Sequence, residues 1–186
     1  MTEPSATFLL FGATGDLARR MIFPSLYNLL SDGLLPDDFL IIASARTEMD
    51  DEAFREEVCA ALKQFLPADR YDADIAARFR AMILYQPVDS SNGAHFAELA
   101  ERVDGRLERG ISVYLSTPPS LFGPTAQGLA AAGLLTPRTR IAMEKPIGKD
   151  LASSKVVNDS IGHLFAEEQI FRVDHYLGKE TVQNLL

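Results

Sequence analysis

The stretch from Ala6 to Leu17 reads ATFLLFGATGDL and joins an apolar run to a turn that contains two glycines. The run ending at Phe11 is short and almost wholly apolar, which is typical of a strand that is buried on both faces. Apolar residues then recur at helical spacing over residues 16–30. The stretch therefore predicts a strand, a tight glycine turn and a helix, in that order.

The same rhythm of strand and helix continues along the rest of the chain. Further apolar runs predict strands at 39–45, 82–86, 111–115, 141–144 and 170–173. Amphipathic segments predict helices at 51–66, 71–80, 94–103, 121–132 and 151–165, and residues 179–186 also have a helical pattern. Strands that alternate with helices indicate right-handed βαβ units. The pattern therefore predicts an α/β fold of the Rossmann-like, doubly wound kind, with a mostly parallel sheet.

The composition is that of an ordinary globular protein. The 186 residues suffice for one large core, and a formal net charge of −8 leaves no basic surplus for nucleic acid. The single cysteine, Cys59, cannot form an internal disulfide. The sequence has neither the pattern of a signal peptide nor an apolar run of about 18 residues. We therefore expect a soluble cytoplasmic protein without nucleic-acid or membrane partners, and we predict no metal site.

The glycine turn is the first candidate binding site. In a doubly wound sheet, ligands bind beyond the carboxyl ends of the strands, where free N–H groups of a helix N-terminus can hold a phosphate. Gly12 and Gly15 allow unusual backbone angles and the close approach of a pyrophosphate. Their spacing is G-x-x-G rather than G-x-G-x-x-G, so their place after the first strand is what favours a dinucleotide. A turn that needs glycine only for its own geometry is the competing interpretation.

The end of the second predicted strand indicates which dinucleotide binds. An NAD site usually carries an Asp or Glu there for the ribose hydroxyls, whereas an arginine accommodates the 2′-phosphate of NADP. This chain has Arg46, whose guanidinium can pair with a phosphate bidentately, and Ser44 or Thr47 can add hydroxyl contacts. The sequence therefore predicts NADP, unless Arg46 is only a solvated loop residue.

Two segments near the C-terminus supply further chemical groups. Lys145 follows the fifth strand, on the same edge of the sheet as the glycine turn, where an ammonium can reach a nicotinamide or a sugar hydroxyl. The string RVDHYLGKE follows the sixth strand and contains His175, Tyr176 and Lys179, which can converge on one phosphate at a helix N-terminus. Asp174 is a candidate to orient a histidine base. The alternative is a helix-capping aspartate among ordinary surface residues.

Spacing excludes two other nucleotide-binding classes. A P-loop needs G-x-x-x-x-G-K followed by Ser or Thr, and Gly178-Lys179-Glu180 lacks both the spacing and the hydroxyl. Short-chain dehydrogenases carry a lysine four positions after a tyrosine, whereas Tyr176 and Lys179 are only three apart. Neither class therefore explains the motifs.

Taken together, these motifs resemble the glucose-6-phosphate dehydrogenase family. The resemblance rests on GATGDLAR at 12–19, DGLLP at 32–36, EKP at 144–146, RVDHYLGKE at 172–180 and VQNLL at 182–186. It extends through the whole chain in family order, and DHYLGKE is highly specific to that family. The resemblance implies hydride transfer from C1 of glucose 6-phosphate to NADP, which gives 6-phosphogluconolactone in the pentose phosphate pathway. It also implies a homo-oligomer for the full-length protein.

The resemblance also implies roles for individual residues. Those it assigns to the cofactor are Gly12, Ala13, Thr14, Gly15, Asp16, Leu17, Arg46, Asp89, Ser90 and Lys145. Those it assigns to the sugar phosphate are Lys145, His175, Tyr176 and Lys179, while Asp174 would support the catalytic histidine. Met21 stands where the family commonly has a lysine, so a contact of that lysine with the sugar would be lost.

The family's catalytic histidine lies beyond DHYLGKE, in an α+β domain, and none of the three histidines here occupies its position. The resemblance therefore implies that residues 1–186 are the NADP-binding domain together with the start of the segment that binds the substrate phosphate. It implies that the C-terminal α+β domain is absent and that the isolated chain is inactive. Two other interpretations stay open. One is a sugar dehydrogenase like glucose–fructose oxidoreductase, which shares EKP, and the other is a non-catalytic NADP-binding module.

Overall fold

The computed structural model describes residues 6–148 and 150–173, and its six strands form one sheet. The strands are β1 (Thr7–Phe11), β2 (Leu40–Ser44), β3 (Ile83–Tyr85), β4 (Ile111–Leu115), β5 (Arg140–Glu144) and β6 (Ile170–Val173). Every pair is parallel, and the order across the sheet is β3-β2-β1-β4-β5-β6. This is the strand order of Rossmann-like doubly wound sheets, so the predicted fold class is confirmed.

Within the described ranges, six α-helices connect the strands. They are α1 (Phe23–Ser31), α2 (Asp51–Phe65), α3 (Ala73–Ala81), α4 (Gly93–Val103), α5 (Phe122–Ala131) and α6 (Leu151–Gly162). Their bounds lie close to the predicted ones, except that the helix predicted at 16–30 is divided. Residues Ala18–Ile22 form a π-helical turn ahead of α1, a feature that often lies near functional sites. None of the described helices is both long enough and apolar enough to cross a membrane.

Short polar side chains set where several helices begin. The carboxylate of Asp50 accepts a hydrogen bond from the Ala53 N–H at 2.8 Å, and this caps α2. Asp150 caps α6 in the same way through Ser153 at 2.7 Å, and these hydrogen bonds hold the pKa of Asp150 below its ordinary value. Because such caps satisfy N–H groups that the helix itself cannot, they fix the register of each helix against the sheet.

The core has two parts, one on each face of the sheet. The side chains of β1 alternate between them, with Leu9 and Phe11 packing on one face and Leu10 on the other. The first face is covered by the apolar sides of α4, α5 and α6, and the second by those of α1, α2 and α3. The burial of each such leucine or phenylalanine side chain stabilises the folded state by about 1.5–3 kcal/mol. The burial of β1 on both faces therefore fixes the turn that follows it.

Candidate functional site

A cleft of about 690 Å³ lies at the carboxyl edge of the sheet, and residues at the ends of β1, β2 and β4 line it. β1 is the strand at which the order reverses, since β2 lies on one side of it and β4 on the other. The loops that follow these strands diverge there and leave a crevice between them. A volume of this size is typical of a site for a small molecule or cofactor.

The glycine turn forms the floor of the cleft, and its close packing depends on Gly12. This residue has a φ of +82°, and a Cβ atom on it would lie 2.2 Å from the backbone oxygen of Ser116. The N–H groups of Gly12 and Ala13 both donate to the Ser44 carbonyl, at 2.8 and 3.0 Å. Gly15 donates to the Gly12 carbonyl at 3.0 Å. Three N–H groups of the turn are thus committed to holding its shape.

Asp16 and Leu17 follow the turn at the start of the helical segment, and neither is among the residues that line the cleft. In the helical segment that follows the turn, the Arg19 N–H donates to the Gly15 carbonyl at 3.2 Å. The N–H groups of Asp16 and Leu17 precede it, and the first N–H groups of a helix have no acceptor within that helix. They carry the positive end of the helix dipole, which favours an anion. Ala13 contributes only backbone here, because its side chain is buried in the core.

The end of β2 supplies a buried hydroxyl and an exposed cation. Ser44 is 2% exposed, and its Oγ has no hydrogen-bond partner within the described part of the chain. Arg46 is exposed and lines the cleft, as does Thr47. Such an arrangement suits a ligand that offers Ser44 a hydrogen-bond partner and Arg46 a negative charge.

Asp89 and Ser90 follow β3, and they differ in their position relative to the cleft. Ser90 lines the cleft, whereas Asp89 is held beside it by the N–H and the hydroxyl of Ser91, at 2.9 and 2.7 Å. These two hydrogen bonds hold the pKa of Asp89 below its ordinary value, and the charge of Arg46 adds to the effect. The Asp89 N–H donates to Nδ1 of His95 at 3.0 Å, so this histidine helps to hold the loop.

The loop after β4 forms a wall of the cleft that the sequence analysis missed. It places Ser116, Thr117 and Ser120 along the cleft, and Thr125 of α5 lines the cleft as well. Among the described residues, the buried Oγ1 of Thr117 is a second hydroxyl without a hydrogen-bond partner. The available signal was the strand order of doubly wound sheets, which sets the fourth strand beside the first. Hydroxyls after the fourth strand therefore belong to the same site as the glycine turn.

Lys145 lies at the same edge of the sheet but is not among the residues that line the cleft. Its side chain is exposed, and its N–H donates to the Val173 carbonyl at 3.2 Å. The preceding residue, Glu144, is buried and accepts a hydrogen bond from the Tyr114 hydroxyl. Burial raises the pKa of the Tyr114 phenol, and the hydrogen bond to Glu144 raises it further. Tyr114 thus holds the strand end from which Lys145 projects.

Replacing Tyr114 by phenylalanine is expected to lower the free energy of unfolding by about 1–3 kcal/mol at pH 7, because the buried Glu144 loses a donor. The raised pKa of Tyr114 gives the effect a pH dependence. Above about pH 10 the unfolded tyrosine ionises while the folded one stays neutral, so the wild type loses stability as the pH rises. Urea unfolding at pH 7 and above about pH 10 should therefore show that the free energies of unfolding of wild type and Tyr114→Phe differ less at the higher pH. A difference that grows with pH would contradict this account.

Four predicted site residues, Asp174, His175, Tyr176 and Lys179, lie outside the described residues. Within residues 6–148 and 150–173, no group of three or more His, Cys, Asp or Glu side chains is placed to hold a metal ion. The described part of the site is therefore a glycine turn, an arginine at its rim and two walls rich in hydroxyls.

The sequence and the fold are both similar to those of known proteins. Residues 9–184 match the family model described as glucose-6-phosphate dehydrogenase, NAD binding domain. The chain is 49% identical over 186 residues to a glucose-6-phosphate 1-dehydrogenase of Zymomonas mobilis, covering 100% of this chain and 38% of that protein. It is 43% identical over 181 residues to the Gluconobacter oxydans protein of the same name, covering 96% and 37%. The chain thus spans less than two fifths of these relatives.

The fold is also similar to those of solved glucose-6-phosphate dehydrogenase structures. The chain superimposes on a glucose-6-phosphate 1-dehydrogenase from Mycobacterium avium with a TM-score of 0.87 and 36% identity, covering 97% of this chain and 38% of that one. A glucose-6-phosphate dehydrogenase in complex with its substrate glucose-6-phosphate also gives a TM-score of 0.87, with 32% identity, covering 100% and 40%.

Proposed function

The chain belongs to the family of glucose-6-phosphate dehydrogenase NAD binding domains, and from that membership we propose that it holds NADP for the oxidation of glucose 6-phosphate to 6-phosphogluconolactone. The observation that carries the proposal is the cleft at the glycine turn, with Arg46 at its rim. The proposal includes the rest of the assignment, namely a catalytic histidine outside residues 1–186, an inactive isolated chain, and a cytoplasmic homo-oligomer for the longer protein.

The residues of the cleft fit a dinucleotide. Gly12 lets the backbone approach closely, and the N–H groups of Asp16 and Leu17 offer positive dipole ends to a pyrophosphate. The hydroxyls of Ser44 and Thr117, which have no hydrogen-bond partner among the described residues, would find acceptors or donors on a bound nucleotide. When bound, NADP would accept the hydride from the sugar. The chain's own residues at the ends of β1, β2 and β4 would hold and orient that cofactor.

The charge pattern of the cleft supports NADP over NAD. Among the described residues that line it there is no Asp or Glu, so no carboxylate is placed to accept hydrogen bonds from the adenosine ribose. Arg46 lines the cleft at the end of β2, and Thr47 adds a hydroxyl beside it. A 2′-phosphate would meet a guanidinium fork there, which is the geometry that arginine provides and lysine does not.

The proposal that glucose 6-phosphate is the substrate is supported by sequence motifs and by similarity to a solved structure. Lys145 is exposed at the edge of the sheet where the cleft opens, so its ammonium has room to contact a substrate. His175, Tyr176 and Lys179 keep their proposed role toward the 6-phosphate, with Asp174 supporting a histidine base, as in the DHYLGKE resemblance. A relative 32% identical to the chain is known in complex with glucose-6-phosphate.

Calorimetric titration of residues 1–186 tests the proposal. We expect NADP to bind at least tenfold more tightly than NAD, since one charge-assisted pair is worth about 1.5–3 kcal/mol. Glucose 6-phosphate titrated into the NADP-saturated chain should bind without turnover, because the base is not in this chain. Equal affinity for the two dinucleotides, or no binding of either, would remove the proposal.

Ser44→Ala separates the role of this hydroxyl in the fold from its role in binding. Because its Oγ is buried and has no hydrogen-bond partner in residues 6–148 and 150–173, its removal is expected to raise the free energy of unfolding by about 1 kcal/mol without ligand. The same change should weaken NADP binding about three- to tenfold, since one hydrogen bond is lost. Thermal melts and calorimetry measure both effects. Ser120→Ala, an exposed serine of the same cleft, is the control for stability and should leave it unchanged.

A further inference from the structure

Tyr85 ends β3 beside the loop that carries Arg46. Its side chain is 1% exposed and does not line the cleft, so it has no direct contact with the space that a ligand would occupy. Its hydroxyl donates to the Thr47 carbonyl at 2.6 Å. Thr47 and Arg46 both line the cleft. A buried tyrosine is therefore hydrogen-bonded to the backbone of the loop on which the proposed contact with the 2′-phosphate depends.

Contacts with α2 fix the position of Tyr85. Its ring stacks on that of Phe54, with a centroid distance of 4.6 Å and an interplanar angle of 27°. Its N–H donates to Oδ1 of Asp51 at 2.6 Å, and Oδ2 of Asp51 accepts from Nη1 of Arg102 at 2.9 Å. Burial is the main reason why the pKa of the Tyr85 phenol is raised to about 12, so the hydroxyl keeps its proton at neutral pH. It therefore acts as a donor from a fixed position.

Two carbonyls of the loop are fixed, one on each side of Arg46. The Val88 N–H donates to the Ala45 carbonyl at 2.9 Å, and the Tyr85 hydroxyl holds the Thr47 carbonyl. Because a peptide group is planar, fixing its carbonyl fixes the whole group. The peptide group before Arg46 and the one after Thr47 are therefore both set by β3 and the loop that follows it. This limits the directions in which the Arg46 side chain can leave the backbone.

We propose that Tyr85 is a positioning residue for cofactor specificity, which acts through Arg46 on the 2′-phosphate of NADP; this inference rests on the proposed function. A guanidinium pairs bidentately with a phosphate only when its plane faces the phosphate oxygens. A loop that already holds the arginine near that direction loses less conformational freedom on binding, which increases affinity. The Tyr85 hydroxyl therefore strengthens the binding of a dinucleotide that has a 2′-phosphate and has no effect on one that lacks it.

Tyr85→Phe tests the proposal, because it removes the hydroxyl and keeps the ring that packs on Phe54. Calorimetric titration of the chain should show NADP binding weakened about three- to tenfold, with NAD binding unchanged. The loss is smaller than that expected for removal of Arg46, because the guanidinium is still present. Equal losses for both dinucleotides, or no loss for NADP, would overturn the proposal.

Tyr27→Phe is the matched control. Tyr27 is also fully buried, and its hydroxyl accepts from the Asp72 N–H at 2.8 Å and donates to the Asp72 carbonyl at 3.2 Å. It lies on α1 and does not line the cleft. The ratio of the NADP and NAD affinities should therefore keep its wild-type value in this variant. The same fall in the ratio for Tyr27→Phe and Tyr85→Phe would indicate a general loss of stability and would overturn the proposal.

A double-mutant cycle gives a readout that a purely structural role would not move. Because Tyr85 acts through Arg46, Tyr85→Phe should have no further effect on NADP affinity in a chain that already carries Arg46→Ala. Additive losses in the double variant would contradict this. Adenosine 2′,5′-bisphosphate carries the 2′-phosphate without the nicotinamide, so its binding should be weakened by Tyr85→Phe as much as that of NADP.

The wild type separates this inference from the function on which it rests. A wild type without a preference for NADP over NAD would remove the proposed function, and the role of Tyr85 with it. A wild type that prefers NADP, together with a Tyr85→Phe chain that keeps the full preference, would overturn the role of Tyr85 alone.

Discussion

Gly12→Ala is expected to abolish measurable NADP binding and to destabilise the fold by about 2–5 kcal/mol. Part of this is the left-handed backbone, since an alanine at φ +82° costs about 1–2 kcal/mol. The larger part is overlap, because the new Cβ would lie 2.2 Å from the Ser116 carbonyl oxygen, and such overpacking typically costs about 1–3 kcal/mol. The two loops must move apart, and this opens the floor of the cleft. Urea unfolding and calorimetry with NADP measure the two effects.

Gly33→Ala is the control that separates the cost of a positive φ from the cost of steric overlap. Gly33 also has a positive φ, +68°, but a Cβ there would meet nothing within 4 Å, and the residue does not line the cleft. It should therefore show only the backbone penalty of about 1–2 kcal/mol and keep its NADP affinity. If the two variants were equally destabilised and both bound NADP normally, the close approach of Gly12 to Ser116 would have no functional meaning.

Arg46→Ala is expected to weaken NADP binding about 10- to 150-fold and to leave NAD binding nearly unchanged. The guanidinium is exposed at the rim of the cleft, so its removal should not disturb the core. The loss corresponds to one charge-assisted interaction of about 1.5–3 kcal/mol with a group that only NADP has. Arg46→Lys keeps the positive charge but loses the bidentate guanidinium, so its affinity for NADP should lie between those of wild type and Arg46→Ala. Parallel titrations with both dinucleotides are the measurement.

The control for Arg46→Ala is Arg78→Ala, which removes an exposed arginine from α3, away from the cleft. It removes the same single positive charge from a chain whose formal net charge is −8, so it reports any general electrostatic effect. Raising the salt concentration should reduce the difference between wild type and Arg46→Ala, because an exposed pair is screened. Equal losses for NADP and NAD on Arg46→Ala would assign the arginine to the fold rather than to the 2′-phosphate.

The fold could be predicted well from the sequence because its signals are local. Each strand is an apolar run, and each long helix has a regular apolar side, so both were found within a few residues of their observed bounds. The π-helical turn at Ala18–Ile22 was missed, since one additional residue per turn leaves almost the same pattern in a short segment. The 3-10 helix at Leu107–Arg109 was also missed, because three residues are too few to show a periodic apolar pattern.

The site was predicted only in part, because it is assembled across distant segments. Gly12 and Arg46 carry local signatures, and both line the cleft. The hydroxyl of Thr117 carries none, since its importance comes from packing beside Gly12, more than 100 residues earlier in the chain. Ser44 was predicted only as a possible hydroxyl contact. Its burial, with no hydrogen-bond partner in the part of the chain that the structure describes, follows from the pairing of β2 with β1, which sets Ser44 opposite Phe11. Tertiary neighbours therefore decide what these side chains do.

The pairing of β1 with two different strands has a consequence for the order of folding. Thr7 lies opposite Leu40 on one side and opposite Ile111 on the other, so the first pairing closes a short loop and the second a long one. Long loops close more slowly, and during synthesis the segment that contains β4 also emerges later. A chain that has joined β1 to β2 alone would have the glycine turn but not the wall that contains Thr117. The complete cofactor site therefore forms only after β1 has paired with both β2 and β4. We expect cofactor binding to indicate that this part of the sheet has folded.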